Sequence, residues 1–339
     1  MDKLKLYKVY SSSNKTTMKK ALLASGAVAV TVTALILITA LLFSIRPDDF
    51  NSNDLKTTNE EAVEKSWRAG PEAQTYLVTN QTSGSDLFVR VLYPEGRTDD
   101  KTLRPLVLVP GGSSDSRDFL KQKTARFLAD AGYMVVLFDP EGRGQSEGEE
   151  DYNGFIGQDG LAEVIRLAWD IQESPVTLIT FSFGVTLGSG VLARYPDLPV
   201  SGLIDWEGPA DRNDTGGCDE YKTGHMAEVA TCFDEAFWEE REALNFIGKL
   251  QVFYIRLQTE KDHVQPDVLS AVRMVNVAAA GTSLRVQLND EWIKFLGGPG
   301  MESIYKILSE EDPPRMLPNS IDGSLIKMLP DYIESLFAG

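Results

Sequence analysis

The sequence has 339 residues, with 50 acidic residues against 33 basic residues and a formal net charge of −17 at pH 7. A chain of this length holds one large or two small globular units, and its negative charge argues against nucleic acid and anionic lipid headgroups as partners. Its two cysteines supply only two of the four ligands that a structural zinc site needs, so a disulfide is the commoner expectation for the pair.

The N-terminal part of the sequence predicts a membrane anchor. Residues 21–45 contain no charged side chain and are long enough to cross a bilayer as a single helix. The lysine-rich residues 1–20 before them are expected to stay in the cytoplasm, which places the rest of the chain outside. A cleaved signal peptide is the alternative, although the apolar run exceeds the usual signal core. Residues 46–73 are polar and predict a linker to a globular domain over residues 74–339.

The globular part begins with a predicted hairpin, formed by residues 75–79 and 87–92. From residue 105 onward, strands alternate with helices, which predicts a doubly wound, mostly parallel sheet. The predicted strands are residues 105–109, 133–138, 176–181, 200–204, 252–257 and 284–288. The predicted helices are residues 116–131, 161–172, 185–194, 235–246, 266–280 and 325–337.

The end of the predicted strand 176–181 carries the strongest chemical signal. Ser182 follows the strand directly, and Gly184 lies two residues farther along. A small-x-Ser-x-Gly pattern between a strand and a helix makes a sharp turn that lifts the serine hydroxyl above the sheet, where it can attack an acyl carbon. Thr180 stands in the place of the first small residue. The alternative is a serine that is merely buried at the end of a strand.

Two loops before this serine carry a resemblance to a known family. Residues 110–114, Pro-Gly-Gly-Ser-Ser, follow one buried strand, and residues 139–148, with the pattern D-x-x-G-R-G-x-S-x-G, follow the next. In this order, the loops and the serine turn resemble the α/β-hydrolase superfamily, and particularly its branch similar to dienelactone hydrolases and prolyl oligopeptidases. The resemblance implies that Ser182 is the nucleophile. It also implies an oxyanion hole made by the backbone N–H of Phe183 and that of Gly112 or Ser113.

The same resemblance places the acid of a catalytic triad after the penultimate strand, where this sequence has Asp262. It places the base in the loop after the last strand, but residues 289–298 contain no histidine. The two histidines of the chain are His263, next to Asp262, and His225. Either of them is a candidate base, and a third possibility is that no histidine serves.

If His263 is the base, a carboxylate other than the adjacent Asp262 is expected to orient it, because neighbouring side chains rarely form that hydrogen bond. Asp205, Glu207 and Asp290 are the candidates. If His225 is the base, it would approach Ser182 from above, with Asp262 behind it.

The long connection between the predicted strands 200–204 and 252–257 indicates a small lid over about residues 206–250. Cys218 and Cys232 both lie in it, and an isolated pair in an oxidising compartment predicts a disulfide. Acidic residues at 205–214 offer oxygen ligands for a cation such as calcium, but a solvated loop is the commoner explanation. No metal ion and no cofactor are therefore predicted.

Together these features predict a membrane-anchored serine hydrolase that cleaves an ester, thioester or amide through an acyl-serine intermediate. A small acyl compound is the expected substrate. The alternative is an α/β-hydrolase fold that has lost its base and acts as a binding module at the cell surface, which the missing histidine after the last strand would favour.

Overall fold

Two apolar runs, residues 105–109 and 134–138, form fully buried neighbouring strands in one large sheet. The computed structural model describes residues 8–9, 73–216, 218, 226, 229–265, 267–297, 302–318 and 324–337. The strands are β1 (Lys8–Val9), β2 (Ala73–Thr79), β3 (Asp86–Leu92), β4 (Pro105–Val109), β5 (Met134–Phe138), β6 (Val176–Phe181), β7 (Val200–Trp206), β8 (Phe253–Leu257), β9 (Arg285–Leu288), β10 (Glu291–Phe295) and β11 (Ile304–Tyr305).

Helices connect most of these strands. They are α1 (Ser116–Lys121), α2 (Thr124–Asp130), α3 (Phe155–Gln172), α4 (Gly184–Arg194), α5 (Arg212–Gly216), α6 (Glu235–Glu239), α7 (Leu244–Ile247), α8 (Leu269–Ala280) and α9 (Ser324–Ser335).

The strands form one sheet in the order β1-β2-β3-β5-β4-β6-β7-β8-β9-β10-β11. The six central strands, from β5 to β9 in this order, are parallel, whereas the flanking strands pair antiparallel. The predicted parallel sheet is therefore confirmed for the centre, but five of the ten strand pairings in the described residues are antiparallel, so the sheet as a whole is mixed. The carboxyl ends of parallel strands meet at one edge of a sheet, which is where ligand sites form in this class of fold.

Helices cover both faces of the sheet. Gly188 of α4 lies against Leu203 of β7, and the neighbouring Gly202 lies against Leu336, just after α9. Adjacent residues of a strand point to opposite faces, so α4 and α9 pack on opposite sides. The apolar strands β4 and β5 are buried on both faces, as their uninterrupted hydrophobic runs predict.

Some predicted elements differ in detail from the structure. The predicted helix 116–131 is two helices, because Lys123 between them adopts a left-handed backbone with φ of 62°. The predicted helix 235–246 is likewise divided into α6 and α7. Strands β10 and β11 were not predicted, and β10 forms from residues 291–295, which the sequence had indicated as a loop.

The N-terminal predictions fall almost entirely outside the described residues. This applies to the membrane segment 21–45, to the linker up to residue 72 and to the tail 1–20 except for β1, which pairs with Tyr76 and Leu77 of β2. Among the residues that the structure describes, no helix is long and apolar enough to cross a membrane.

Candidate active site

Ser182 occupies a tight turn between β6 and α4. Its backbone is in the left-handed region, with φ of 50°, and its N–H donates to the carbonyl of Trp206 at 2.8 Å. A non-glycine residue adopts this conformation only where the surrounding structure enforces it, and such residues concentrate at functional sites. The turn projects Ser182 at the carboxyl edge of the sheet, as the sequence pattern predicts.

The larger Thr180 is accommodated by a glycine on the helix that follows. The Thr180 side chain is fully buried, and a Cβ placed at Gly188 of α4 would lie 2.4 Å from its Cγ2. Because Gly188 has no Cβ, the Thr180 side chain fits at a position where the usual pattern has a smaller residue. The departure from the usual pattern is compensated within the same strand-turn-helix unit.

Gly184 is required by the close approach of the turn to β4. A Cβ at this position would lie 2.6 Å from the Pro110 carbonyl oxygen and 2.9 Å from that of Val109. We therefore expect Gly184→Ala to destabilise the fold by about 1–3 kcal/mol, the usual cost of overpacking. Urea denaturation followed by circular dichroism measures the change.

Gly248→Ala is the matched control for that substitution. Gly248 has an ordinary φ of −71°, and the nearest atom to an added Cβ is a flexible Val277 methyl group at 3.2 Å. Its effect is expected to stay within about 1 kcal/mol. Equal losses in the two variants would contradict a specific steric role for Gly184.

His263 lies beside Ser182, in the loop after β8. Its Nε2 is 2.9 Å from Ser182 Oγ, and its Nδ1 is 3.0 Å from Glu207 Oε2. The imidazole thus bridges a hydroxyl and a carboxylate, with a different ring nitrogen facing each. This is the arrangement by which a histidine can take a proton from a serine while a carboxylate fixes its tautomer.

Glu207 follows directly after β7, with a positive φ of 49°. Its Oε1 accepts hydrogen bonds from both the backbone N–H and the side-chain hydroxyl of Thr259, which hold the carboxylate in place. Burial alone would raise the pKa of Glu207, but the hydrogen bonds from His263 and Thr259 lower it below its ordinary value. Glu207 is therefore ionised at neutral pH and faces the imidazole as an anion.

The environment of His263 favours its protonated form. The hydrogen bond to Glu207 is the main cause that raises the pKa of His263, burial opposes the rise, and the charge of Asp262 adds to it. The ring is still 44% exposed, so it is open to solvent or a ligand on one side.

Asp262 mainly organises the loop that carries His263. Its Oδ1 accepts from the backbone N–H groups of Val264 and Gln265, at 2.8 and 2.9 Å, and its Oδ2 accepts from Gln258. The same Oδ1 is 3.4 Å from His263 Nδ1, farther than the Glu207 oxygen. Asp262 is thus close to the imidazole, but most of its hydrogen bonds hold its own loop.

The other candidate residues have different surroundings. Asp205 is paired with Arg256, and Asp290 accepts a hydrogen bond from the Tyr332 hydroxyl, so neither orients His263. His225 lies outside the described residues. Of the three carboxylates considered for His263, Glu207 is the one that contacts its ring.

The glycine loop after β4 lies next to the serine turn. A Cβ at Gly111 would be 2.9 Å from Ser182 Cβ, and Gly112 has a positive φ of 51° with open space around it. Phe183 is buried, its carbonyl accepts from the Asn153 side chain at 2.9 Å, and among the described residues no acceptor binds its backbone N–H. Ser113 is exposed in the same loop. The Phe183 N–H and the loop 111–113 therefore lie on two sides of Ser182, where an oxyanion hole would need its donors.

The connection between β7 and β8 contains α5, α6 and α7 and includes the predicted disulfide. Cys218 and Cys232 are bonded, with their Cα atoms 5.2 Å apart. Cys218 packs with an apolar cluster that contains Phe183, Met226 and Trp238. The disulfide-linked segment and the residue that follows the serine therefore belong to one apolar cluster.

Two acidic residues of this connection, Asp211 and Asp214, pair with one arginine. Asp211 and Asp214 bind the guanidinium of Arg273 on α8, at 2.6 and 2.8 Å. These carboxylates already have a cationic partner and do not form an open oxygen site.

Glu207, Asp262 and His263 place ligand atoms within 4.8 Å of one another, as a metal ion would require. His263 Nδ1 lies 3.0 Å from Glu207 Oε2 and 3.4 Å from Asp262 Oδ1. The hydrogen bonds that join Ser182, His263 and Glu207, called the relay below, also bring these atoms together.

Comparison with solved structures identifies the fold. An esterase of Exiguobacterium antarcticum gives a TM-score of 0.50 at 16% identity, with 77% of this chain and 99% of that chain covered. An esterase of Pyrococcus furiosus gives 0.49 at 14% identity, covering 78% and 89%. A Butyrivibrio proteoclasticus protein solved with ferulic acid bound gives 0.48 at 15%, covering 60% and 85%. The match at a TM-score of 0.50, over 77% of this chain, supports the α/β-hydrolase fold.

No family model matches the chain, and no curated protein matches it significantly.

Within the α/β-hydrolase fold, the polar relay of this chain is displaced by one strand. The family resemblance places the acid after the strand that is β8 here and the base after β9. Instead, the acidic residue next to the imidazole follows β7, and the imidazole follows β8. Because β6, β7 and β8 are neighbours in the sheet, the three side chains still meet at one edge.

Proposed function

We propose that this chain is a serine hydrolase that cleaves an ester, thioester or amide through an acyl-serine intermediate on Ser182. The observation that carries the proposal is the continuous contact from Ser182 Oγ through His263 to Glu207, with 2.9 and 3.0 Å between the paired atoms. A serine hydroxyl needs a base for its proton, and this relay supplies one with an oriented tautomer.

The reaction follows from this geometry. His263 Nε2 takes the hydroxyl proton while Ser182 Oγ bonds to the acyl carbon, and the carbonyl electron pair moves onto the oxygen. The Phe183 N–H, with that of Gly112 or Ser113, donates to the resulting oxyanion. When the bond to the leaving group breaks, His263 returns the proton to that group. Water then repeats the sequence, releasing the acid and restoring Ser182. Glu207 stabilises the imidazolium in both halves.

Labelling with a fluorophosphonate probe tests the proposal. The probe reacts with serines that a neighbouring base activates. We expect wild-type protein to become labelled on Ser182 and Ser182→Ala to remain unlabelled, as read by mass spectrometry of the intact chain. Ser189→Ala is the control, because the Ser189 hydroxyl is buried in α4 and donates to its own helix. An unlabelled wild-type protein would contradict the proposal.

The alternative of a binding module without catalytic activity is less well supported. It depended on the missing histidine in the loop after β9. Since His263 lies at hydrogen-bond distance from Ser182, the absence of a histidine from that loop no longer implies the loss of a base.

We also propose that residues 21–45 anchor the protein in a membrane, with the hydrolase domain outside the cytoplasm, an arrangement in which β1 leaves the place beside β2 that it has in the structure. The uncharged run and the lysines before it support this. This topology is tested with single cysteine substitutions at Ser12 and at Thr98, labelled by an impermeant maleimide on intact cells. The two native cysteines do not interfere, because they form the disulfide. Only the Thr98 substitution should react. Labelling of both would contradict this topology and favour the arrangement in which β1 stays paired with β2.

A further inference from the structure

A fully buried ion pair lies below the loops that carry Glu207 and His263. Arg256 of β8 and Asp205 of β7 face each other on adjacent parallel strands, with 2.7 Å between Nη1 and Oδ2. Both side chains are completely inaccessible to solvent. The Tyr254 hydroxyl donates to the same Asp205 oxygen, at 2.8 Å.

The guanidinium of Arg256 connects the two loops of the proposed active site. Its Nη1 also donates to the carbonyl of Gly208, the residue after Glu207, at 2.6 Å. Its Nη2 donates to Gln258 Oε1 at 2.5 Å, and Gln258 in turn donates to Asp262 Oδ2 at 2.9 Å. Arg256 thus contacts the backbone next to Glu207 directly, and it contacts the Asp262 carboxylate through the Gln258 amide.

Stability alone is a weak reason for this arrangement. Burying two charges loses their hydration, and well-packed apolar residues of similar volume often replace such pairs without loss of stability. Arg256 also leaves its buried Nε without a hydrogen-bond partner among the described residues. The pair has these costs and lies directly below the reactive groups. An effect on those groups therefore explains the pair better than a contribution to stability does.

We propose that Arg256 is a positioning residue for the reaction, which holds the Glu207 and His263 loops in register and offsets the carboxylates that surround the imidazole. This inference rests on the proposed serine hydrolase function.

The charge of Arg256 has a defined effect on the base. The ionisable groups that act on His263 are Glu207 from the β7 loop, Asp262 from its own loop and Arg256 from β8. The two carboxylates raise the pKa of His263, whereas Arg256 lowers it. Asp205, which faces Arg256, offsets part of that charge. Since only the neutral imidazole accepts the serine proton, loss of Arg256 should move the onset of activity to higher pH.

The test is the rate of fluorophosphonate labelling of Ser182 as a function of pH in full-length protein. Arg256→Met removes the charge at similar volume. We expect its labelling to slow about tenfold near neutral pH for each unit by which the pKa of His263 rises, with partial recovery at alkaline pH. Arg256→Lys keeps a charge but cannot make the forked contacts. It should be slower than wild type at all pH values, with little shift of the midpoint.

Arg194→Met is the matched control. Arg194 pairs with Asp159 at 2.7 Å, at the end of α4 far from Ser182, so its loss breaks an ion pair without touching either loop. Its labelling profile should match that of wild type. Circular dichroism of each variant shows whether it is folded, and if Arg256→Met is not, Arg256→Lys carries the test.

The outcomes separate the two proposals. If wild-type protein labels and both Arg256 variants follow its pH profile and rate, Arg256 has a structural role only and the inference is overturned. An unlabelled wild-type protein would overturn the proposed function, and this inference with it.

Discussion

Replacement of His263 by alanine is expected to reduce Ser182 reactivity by about 10⁴-fold to 10⁶-fold, the range found when the base of a serine relay is removed. The physical reason is that the hydroxyl at 2.9 Å from Nε2 would lose its proton acceptor, and a serine alcohol is a poor nucleophile at neutral pH. The measurement is the initial rate of fluorophosphonate labelling, together with hydrolysis of a chromogenic short-chain ester.

His225→Ala is the control for this experiment, because the chain has only two histidines. It should keep labelling close to the wild-type rate. Full activity in His263→Ala, with loss in His225→Ala, would transfer the role of base to His225 and contradict the relay proposed here. Full activity in both variants would mean that no histidine serves as the base.

Much of the fold could be predicted from local patterns. The strand predicted for residues 176–181 is β6 without change, because a buried parallel strand is a continuous apolar run with turn residues at its end. The serine turn could be predicted as well, since Ser182 and Gly184 stand at the positions where the backbone needs a sharp bend and close contact with β4. These features depend on residues near each other in the sequence.

The partner of His263 could not be determined in the same way. Glu207 is 56 residues away from it in the sequence, and the contact arises because β7 and β8 are adjacent in the sheet. The signal that was present is the position of Glu207 directly after an apolar strand, followed by Gly208 and Pro209. That signal placed Glu207 among three candidates but did not distinguish it from Asp205, which forms an ion pair with Arg256 in the structure.

The helix breaks also left little trace in the sequence. Lys123 separates α1 from α2 by adopting a left-handed backbone, although lysine is a good helix former. No glycine or proline marks the break.

Glu207→Gln and Asp262→Asn distinguish the two carboxylates near the base. We expect Glu207→Gln to lower the plateau rate of Ser182 labelling by about 10⁴-fold, as when an acid is replaced by its amide in a serine relay. The amide cannot stabilise the imidazolium, and its NH₂ group can favour the wrong tautomer. Asp262→Asn should cost about tenfold or less, because the asparagine oxygen can still accept from Val264 and Gln265.

The pH dependence of the same variants gives an independent check. In wild-type protein, the hydrogen bond to Glu207 raises the pKa of His263, so labelling should rise with pH through a midpoint above about 6.5, the ordinary value for histidine. Loss of the Glu207 charge removes the largest cause of that rise and should move the midpoint to lower pH even as the plateau falls. Asp262→Asn should move it in the same direction by less. A larger loss of rate in Asp262→Asn than in Glu207→Gln would show that the adjacent aspartate is the acid of the relay, and the assignment to Glu207 would be wrong.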